Sequence, residues 1–580
     1  LKVKWYNPDG SIRTGSSSPY GFSSTPVTPS ISPSVAEDLP PSGFYSEPFE
    51  VRFDASKNVH CSQGGYAPTV ASPLFGELMV NESVTLRCAS FEPGCEPGKI
   101  ESRTYIFEPQ PSVATVFLVG DPLSFFDPDT GIYSEGPNAQ SADPHYGANY
   151  WADRELPVHV ELFEPGGKTP AFSEEAGYQI FGNYSRMQNK KSVAITFREK
   201  YGKNRLEYPL FPEFPELKKF KVFLLRNNGG NFGNDYIHDM LASSLTEGLG
   251  LDYQRGRAAV VFYNNEYYGI HNIRERSTEY YFETHYGYDP EDIDLLKADN
   301  SATNGSSVDY VALMDWLETH SLESAENYAY MESQIDVGNF MNYVLAEIFI
   351  DNRDWPGNNL KKWRNNNPKT LWKWFIYDMD FGLDNGYSDY TNNIFEFATD
   401  STETGWPNGS EYTLLLRRLL GNEGFRTAFV NRMTTLLSTN FESSRILSRI
   451  DVLMYAINGE IARDQKRWKL NATRMENTLN TIRNFARTRQ GIIMQEMSEF
   501  FGLGAPVEVS LATDGNGQIN VHGLPIDRNS VKVNFFNGLN VTITAQPLGG
   551  STFVGWSDGE TSPTRVIVPE KGLALKAVFK

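Results

Sequence analysis

At 580 residues the chain exceeds one ordinary domain, and about three or four are expected. A formal net charge of −20 disfavours nucleic acid and anionic membranes as partners, and no stretch approaches the roughly 20 apolar residues of a membrane span. With 40% hydrophobic and 13% aromatic residues the chain can fill a large core, which excludes a disordered protein. The 48 Gly and 33 Pro predict many turns and substantial β content.

Residues 1–40 are Ser/Pro/Gly-rich from position 7 onward, show no apolar period and predict a linker. Over 41–111, short alternating runs at 49–53, 84–89 and 102–107 with Gly/Pro punctuation predict a small antiparallel β-sandwich. The strings GFYSEPFEVRF, SPLFGELMVNESVTLRCASFEPG and SRTYIF resemble the β-sandwich at the C-terminus of chitobiases, which implies a spacer. All three cysteines (Cys61, Cys88 and Cys95) lie in this region. Their spacing fits no zinc site, one disulfide can form, and three cannot all pair. Such scarcity of cysteine suits an exported bacterial protein. The first residue is Leu1, compatible with a leader already removed, although no signal peptide is legible.

Residues 112–500 begin with strand-like segments at 113–119, 157–162, 192–197, 221–226 and 258–263. Helical patterns follow at 337–351, 412–419, 424–438 and 443–468. In the last of these, Ile446, Ile450, Leu453, Ala456 and Ile457 recur at helical spacing. A β-rich half followed by a helical half predicts an α+β, two-lobed central domain. Residues 506–580 return to short strands, at 507–511, 518–521, 541–547, 551–556, 565–568 and 573–579. Here GGSTFVGWSDGETSPTRVIV and the closing LKAVF resemble the internalin B-repeat of bacterial surface proteins, implying a spacer or attachment module.

The chemistry concentrates in residues 346–386, AEIFIDNRDWPGNNLKKWRNNNPKTLWKWFIYDMDFGLDNG. A helix ending near Asp351 is stopped by the turn formers NRDWPGNN. Strands at 360–364 and 371–377, joined by NNNPKT, form a hairpin. The hairpin returns the chain to its start, so Asp354 and Asn359 come to lie beside Asp378 and Asp380. Clustered carboxylates without a paired Lys or Arg repel, and oxygen ligands of this kind suit a hard ion such as Mg²⁺ or Mn²⁺. In protein kinases a catalytic-loop Asp accepts the substrate proton, an Asn five residues on binds metal, and the Asp of a DFG motif supplies the other ligand. Asp354 precedes Asn359 by five, and Asp380-Phe381-Gly382 spells DFG. These residues alone also read as a calcium-binding or solvated acidic turn.

Together with GIYSEGPN…ANYW (131–151), SRMQNKKSVAITFREKYG (185–202), YPLFPE (208–213), FLLRNNGGNFG (223–233) and FYNNEYYGIHNIRERSTEYYFETHYG (262–287), this region resembles the CotH kinase family of atypical kinases. The resemblance implies an atypical kinase-like two-lobed domain that uses ATP with Mg²⁺ or Mn²⁺ and phosphorylates Ser or Thr of a protein substrate. It assigns Asp354 as catalytic aspartate, Asn359 as metal ligand and Asp378 as the first Asp of a W-D-x-D motif. Asp380 becomes a second ligand or support. Tyr377 stands where the family has Trp, and which of Asp378 and Asp380 is the main ligand stays open. Lys191, in NKKSVAIT, matches the family's Lys-Ser motif, and Glu275, in NIRERS, matches a family glutamate, although His271 replaces the second Tyr of its pattern. Lys191 and Glu275 are expected to pair, with Arg226 and Arg274 as further ATP-phosphate ligands.

His238, His271 and the Gly229-Gly230 pair read as structural, and Trp363, Trp372, Trp374 and Phe375 as hairpin packing. The leading expectation is an exported or cell-surface protein kinase. The alternatives are a surface adhesin or polysaccharide-associated binding protein with a degenerate kinase fold, and an enzyme of this fold that transfers a nucleotidyl group. ATP is scarce outside cells, so the kinase expectation includes action during export or on another donor.

Overall fold

The computed structural model describes residues 30–386 and 389–580, and beyond these only the backbone of 5–6 and 12–13. Most of the expected linker therefore lies outside the described residues. Its last part is not free chain, because Val35 and Leu39 are buried in the core of the adjoining sandwich. There Gly43–Phe44, Glu101–Ile106, Val84–Ser90 and Val59–Gln63 form one sheet, and Phe49–Arg52 pairs with Glu77–Val80. Cys61 faces Cys88 across two neighbouring strands, and the two are joined by a disulfide. Cys95 is free.

The β-rich lobe is a closed barrel. Its strands are β1 (Ala114–Val119), β2 (Leu156–Phe163), β3 (Phe172–Phe181), β4 (Ser192–Thr196) and β5 (Val222–Arg226). After a helix, α1 (His238–Ser244), and a two-residue strand, β6 (Asp252–Tyr253), come β7 (Gly256–Tyr263) and β8 (Glu266–Glu275). The barrel order is β2-β3-β4-β5-β8-β7-β1, closed by β1 against β2. Alternation decides the two faces. Val116 and Leu118 of β1, like Ala259 and Val261 of β7, fill the barrel, whereas Phe117, Val260 and Phe262 join the core of the helical lobe. Both faces are covered, so these strands read as continuous apolar runs.

The helical lobe holds a second sheet, built from β6, β9 (Ile293–Lys297), β10 (Ala302–Asn304), β11 (Lys361–Asn365) and β12 (Lys373–Ile376), in the order β6-β12-β11-β9-β10. The expected hairpin is present as β11 and β12, with Lys361 opposite Phe375 and Trp363 opposite Lys373. Around it pack α2 (Val308–Thr319), α3 (Val337–Ile350), α4 (Ser410–Gly421), α5 (Glu423–Leu437), α6 (Ser443–Trp468) and α7 (Ala472–Phe501). The sequence reading did not anticipate α7, whose polar face masks its apolar stripe of Leu479, Ile482, Phe485 and Ile493. The C-terminal residues form two packed four-stranded sheets. The architecture is α+β, with all-β flanking regions. Among the described residues no helix is long and apolar enough to cross a membrane.

One buried ion pair ties α6 to the barrel. Lys190 Nζ lies 3.0 Å from Asp464 Oδ1 and donates to the Ile270 carbonyl at 2.7 Å. Asp464 also accepts from the Ile270 N–H and the Tyr236 hydroxyl. Both charged side chains are fully buried. Gly269 is obligatory beside them, since at φ +100° a Cβ would stand 2.0 Å from Asp464 Oδ1. Removing one partner strands the other charge in the interior. Lys190→Ala is therefore expected to cost about 3–5 kcal/mol, and Lys190→Met combined with Asp464→Leu to cost clearly less. Urea unfolding midpoints check this. Equal losses in the single and double variants would overturn the assignment.

Candidate active site

Helix α3 is buried along nearly its whole length, and it ends where Asp351 turns left-handed at φ 60°. Asn352 then anchors the loop, its Nδ2 donating to Glu347 Oε2 at 2.9 Å. From beneath, the buried Arg489 of α7 donates to the carbonyls of Ile348 and Phe349. This rigid base places Asp354, which is only 7% exposed. Its Oδ2 accepts from Asn358 Nδ2 at 2.9 Å and Asn359 Nδ2 at 2.8 Å, and its Oδ1 accepts from the indole N–H of Trp406. Burial raises the Asp354 carboxyl above its ordinary pKa, against the pull of the donors from Trp406, Asn358 and Asn359.

Asn359 closes the expected arrangement. Its amide nitrogen also donates to the Asp378 carbonyl at 2.9 Å, so one side chain joins the loop to the end of the hairpin. An amide whose nitrogen is committed in this way presents its oxygen as the remaining acceptor. Asp378 adopts φ 56°, and its carboxylate is about a third exposed. Asp380, 6% exposed, accepts from the Gly230 N–H at 2.9 Å, while its Oδ1 is buried with no hydrogen-bond partner among the described residues. Burial, with Asp378 and Asp239 nearby, pushes its carboxyl up to about 7 against the opposing pull of Arg226.

The carboxylate cluster is not left without a cation, as the sequence reading supposed. The guanidinium of Arg226, at the end of β5, lies 2.5 Å from Asp378 Oδ1, 2.8 Å from Asp380 Oδ2 and 3.3 Å from Asp239 Oδ2. Arg274 shares Asp239 at 2.8 Å and reaches neither Asp378 nor Asp380. The Gly229-Gly230 turn lies against this cluster: at Gly229, φ +59°, a Cβ would sit 2.1 Å from Asp380 Oδ2. His238 supports the following turn, with Nε2 2.6 Å from the Gly382 carbonyl oxygen.

Lys191 and Glu275 do not pair. The register along β5 sets Val193 of β4 opposite Leu225 and Glu275 of β8 opposite Phe223, so Lys191 and Glu275 lie toward opposite ends of β5. Lys191 donates instead to the carbonyls of Arg186 and Gln188 and sits 3.9 Å over the Tyr150 ring. Burial depresses its pKa to about 7. Glu275 accepts from His285 and from the Arg255 backbone. Neither touches the cluster. Sequence reasoning also missed Asp239, Trp406 and Lys361, which donates to Ser277 and lies 4.5 Å over the Tyr377 ring. Of these only Lys361 carried a signal, since it follows Asn359 by two on a predicted strand.

Among the described residues, no group of three or more His, Cys, Asp or Glu is arranged to hold a metal. Mg²⁺ bound with a nucleotide commonly takes only one or two carboxylates, with phosphates and water supplying the rest. Asn359 Oδ1, Asp378 and the unpartnered Asp380 Oδ1 fit that smaller set.

The profile of the family described as CotH kinase protein matches residues 178–493, which take in every one of these residues. The chain belongs to the CotH kinase protein family. A divergent InlB B-repeat domain matches residues 507–580. No curated protein matches the chain. Among solved structures, that of the Helicobacter pylori proinflammatory kinase CtkA is similar at 11% identity and a TM-score of 0.23. It covers 56% of this chain and 95% of its own.

Within this CotH domain, Arg226 is the cation shared by three carboxylates. Arg226→Met is expected to cost about 3–5 kcal/mol, because Asp239, Asp378 and Asp380 would then repel. Without the guanidinium, the already raised pKa of Asp380 would rise further and Asp239 would lose a cation that holds its pKa down, so the folded state would hold protons that the unfolded state releases. The deficit should accordingly be larger at pH 8 than at pH 5. Urea midpoints at the two pH values check the sign, and a deficit independent of pH would contradict it.

Proposed function

We propose that this chain is an ATP-dependent protein kinase that transfers the γ-phosphoryl group to a Ser or Thr hydroxyl of a protein substrate. The observation that carries the reading is the Asn359 amide, which binds the Asp354 carboxylate and the Asp378 carbonyl together. It couples a base for the acceptor hydroxyl to a carboxylate end suited to a cation. Asp354, raised by burial and oriented by three donors, accepts the hydroxyl proton. Mg²⁺ or Mn²⁺ would be held by Asn359, Asp378 and Asp380, and when bound would offset the charge of the nucleotide phosphates. Arg226 is the guanidinium beside Asp378 and Asp380 and would be available to those phosphates, with Arg274 behind it through Asp239. Lys191 and Glu275 act at most through the barrel that supports them. Catalysis then rests on positioning and fixed charge.

The disulfide between Cys61 and Cys88 favours an oxidising compartment, and the B-repeat accords with a surface location. We place the protein outside the cytoplasm of a bacterium, exported or on the cell surface. A second reading, a surface adhesin or polysaccharide-associated protein with a degenerate kinase fold, is favoured by one observation: Arg226 already neutralises Asp378 and Asp380.

Incubation with γ-labelled ATP, Mg²⁺ or Mn²⁺ and casein separates the two. Label transfer is expected from the wild type, reduced about 10²–10⁴-fold in Asp354→Ala and lost in Asp378→Ala. Neither transfer nor metal-dependent nucleotide binding by the wild type would leave the binding-protein reading. Trp406→Phe keeps the ring but deletes a donor to Asp354. It is expected to lower kcat about tenfold while the KM for ATP stays constant. A change confined to the ATP KM would remove Trp406 from its positioning role.

A further inference from the structure

The cations expected at the phosphates are already held. Lys191 donates to two carbonyls, Arg274 lies against Asp239, and Arg226 divides its charge among three carboxylates. Lys361 donates to the carbonyl and the hydroxyl of Ser277. Arg276, the residue before Ser277, differs. Its guanidinium lies 5.3 Å over the Phe181 ring and makes no hydrogen bond or ion pair among the described residues. The side chain is nonetheless partly buried. Burial, with Arg198 and Arg186 nearby, holds its pKa below the usual arginine range against the pull of Glu279 and Asp153.

Strand register fixes where this guanidinium lies. Arg276 leaves β8 just after Glu275, which stands opposite Phe223 of β5, and it begins the passage to the helix Glu279–Tyr286 of the other lobe. Val193, Ile195, Phe223 and Leu225 fill the barrel, so Ala194, Val222, Leu224 and Arg226 point out of it. Ala194, Val222 and Leu224 form an apolar strip there with Phe181. To reach Phe181 on β3, the Arg276 side chain crosses β5 and β4 along this strip. Arg226 stands on the same face and meets Asp378 and Asp380. Lys361, from the other lobe, is close enough to feel both Arg276 and Asp378. The unpartnered guanidinium therefore lies in the cleft that holds the carboxylates.

A guanidinium partly out of water is unfavourable until an anion meets it, and its planar fork matches a pair of phosphate oxygens. The span selects the anion. Val222 and Arg226 stand at opposite ends of β5, about 13 Å apart at the usual strand rise. An anion that starts at Asp378 and also meets Arg276 must be extended and carry several charges, as a nucleoside polyphosphate does. A single carboxylate or phosphate is too short. We propose that Arg276 is a ligand for the non-transferred phosphates of the nucleotide, taking the α- and β-phosphates while the γ-phosphate lies at Asp378. The proposal rests on the phosphoryl-transfer reading for the order of the phosphates, not for the charge they meet. Because Arg276 has no ion-pair partner to lose, removing it strands no charge in the interior.

The test uses the full chain. Calorimetry in EDTA gives the Kd of ATP, ADP, adenosine and inorganic tripolyphosphate, and γ-labelled ATP with Mg²⁺ and casein gives KM and kcat. Arg276→Met should weaken ATP, ADP and tripolyphosphate about 10–100-fold and leave adenosine unchanged. The KM for ATP should rise by the same factor with kcat within about twofold, because the contact is equal before and during transfer. Arg276→Lys, which keeps the charge but not the fork, should fall between. Arg198→Gln removes a neighbouring charge already held by Glu155 and should change nothing. The urea midpoint of Arg276→Met should hold; a fall, with adenosine and tripolyphosphate weakened together, would mark a packing role instead. Unchanged Kd values in Arg276→Met would overturn the assignment, as would an equal effect of Arg198→Gln or a wild type that binds no tripolyphosphate. Tripolyphosphate binding that depends on Arg276, without Asp354-dependent transfer, would retain the phosphate ligand and remove the kinase reading. Transfer with an unchanged KM in Arg276→Met would do the reverse.

Discussion

The guanidinium of Arg226 is where the two lobes become one molecule. It projects from the end of a barrel strand, yet its partners belong to the helix that leaves the barrel and to the hairpin of the other lobe. A buried guanidinium is unfavourable unless its charge is matched, and a group of buried carboxylates is unfavourable for the same reason. Each makes the other tolerable. The surrounding geometry follows from that exchange. Gly229 leaves room for Asp380, Gly230 donates to it, and Met379 donates its N–H to Asp239. Arg274, sharing Asp239, adds a second cation to the same group of carboxylates.

The opposite side of the site is held by uncharged groups. Asp354 keeps its orientation through two amides and an indole, none of which neutralises it. The two carboxylate regions therefore differ in their surroundings: Asp378 and Asp380 face a guanidinium, whereas Asp354 is desolvated among neutral donors and its pKa is raised by burial. Glu347, behind the same loop, follows the same rule more strongly, since burial pushes its carboxyl up to about 8.

What could be read from the sequence was what depends on nearby residues. The hairpin was legible because turn formers and alternation are local, and it brings Asp354, Asn359 and Asp378 together whatever else the chain does. Five of the seven barrel strands were legible as apolar runs, whereas β3 and β8 were not, and nothing in such runs says that the sheet closes. Pairing of Lys191 with Glu275 failed because it depends on register along β5, a property of three strands at once. Arg226 was named, but as a phosphate ligand. Its partners lie up to 154 residues away, and no spacing announces them. Trp406 is 52 residues from Asp354, in a loop with no period of its own.

The flanking modules were expected to act as spacers, and the packing around them gives that word a narrower meaning. Asn264, at the turn between β7 and β8, donates to the Gly64 carbonyl of the sandwich while accepting from the Gly120 N–H of the barrel. Phe44 of the sandwich packs 5.8 Å from Phe117 of β1. At the other end, the half-buried His522 carbonyl of the B-repeat accepts two hydrogen bonds from Arg432 of α5, and Asn431 donates to the Asn540 carbonyl. The same Arg432 donates to Asn342 of α3, the helix whose end carries the Asp354 loop. Buried polar contacts of this kind are lost at a cost if a module swings away. The modules therefore brace the central domain as well as extend it.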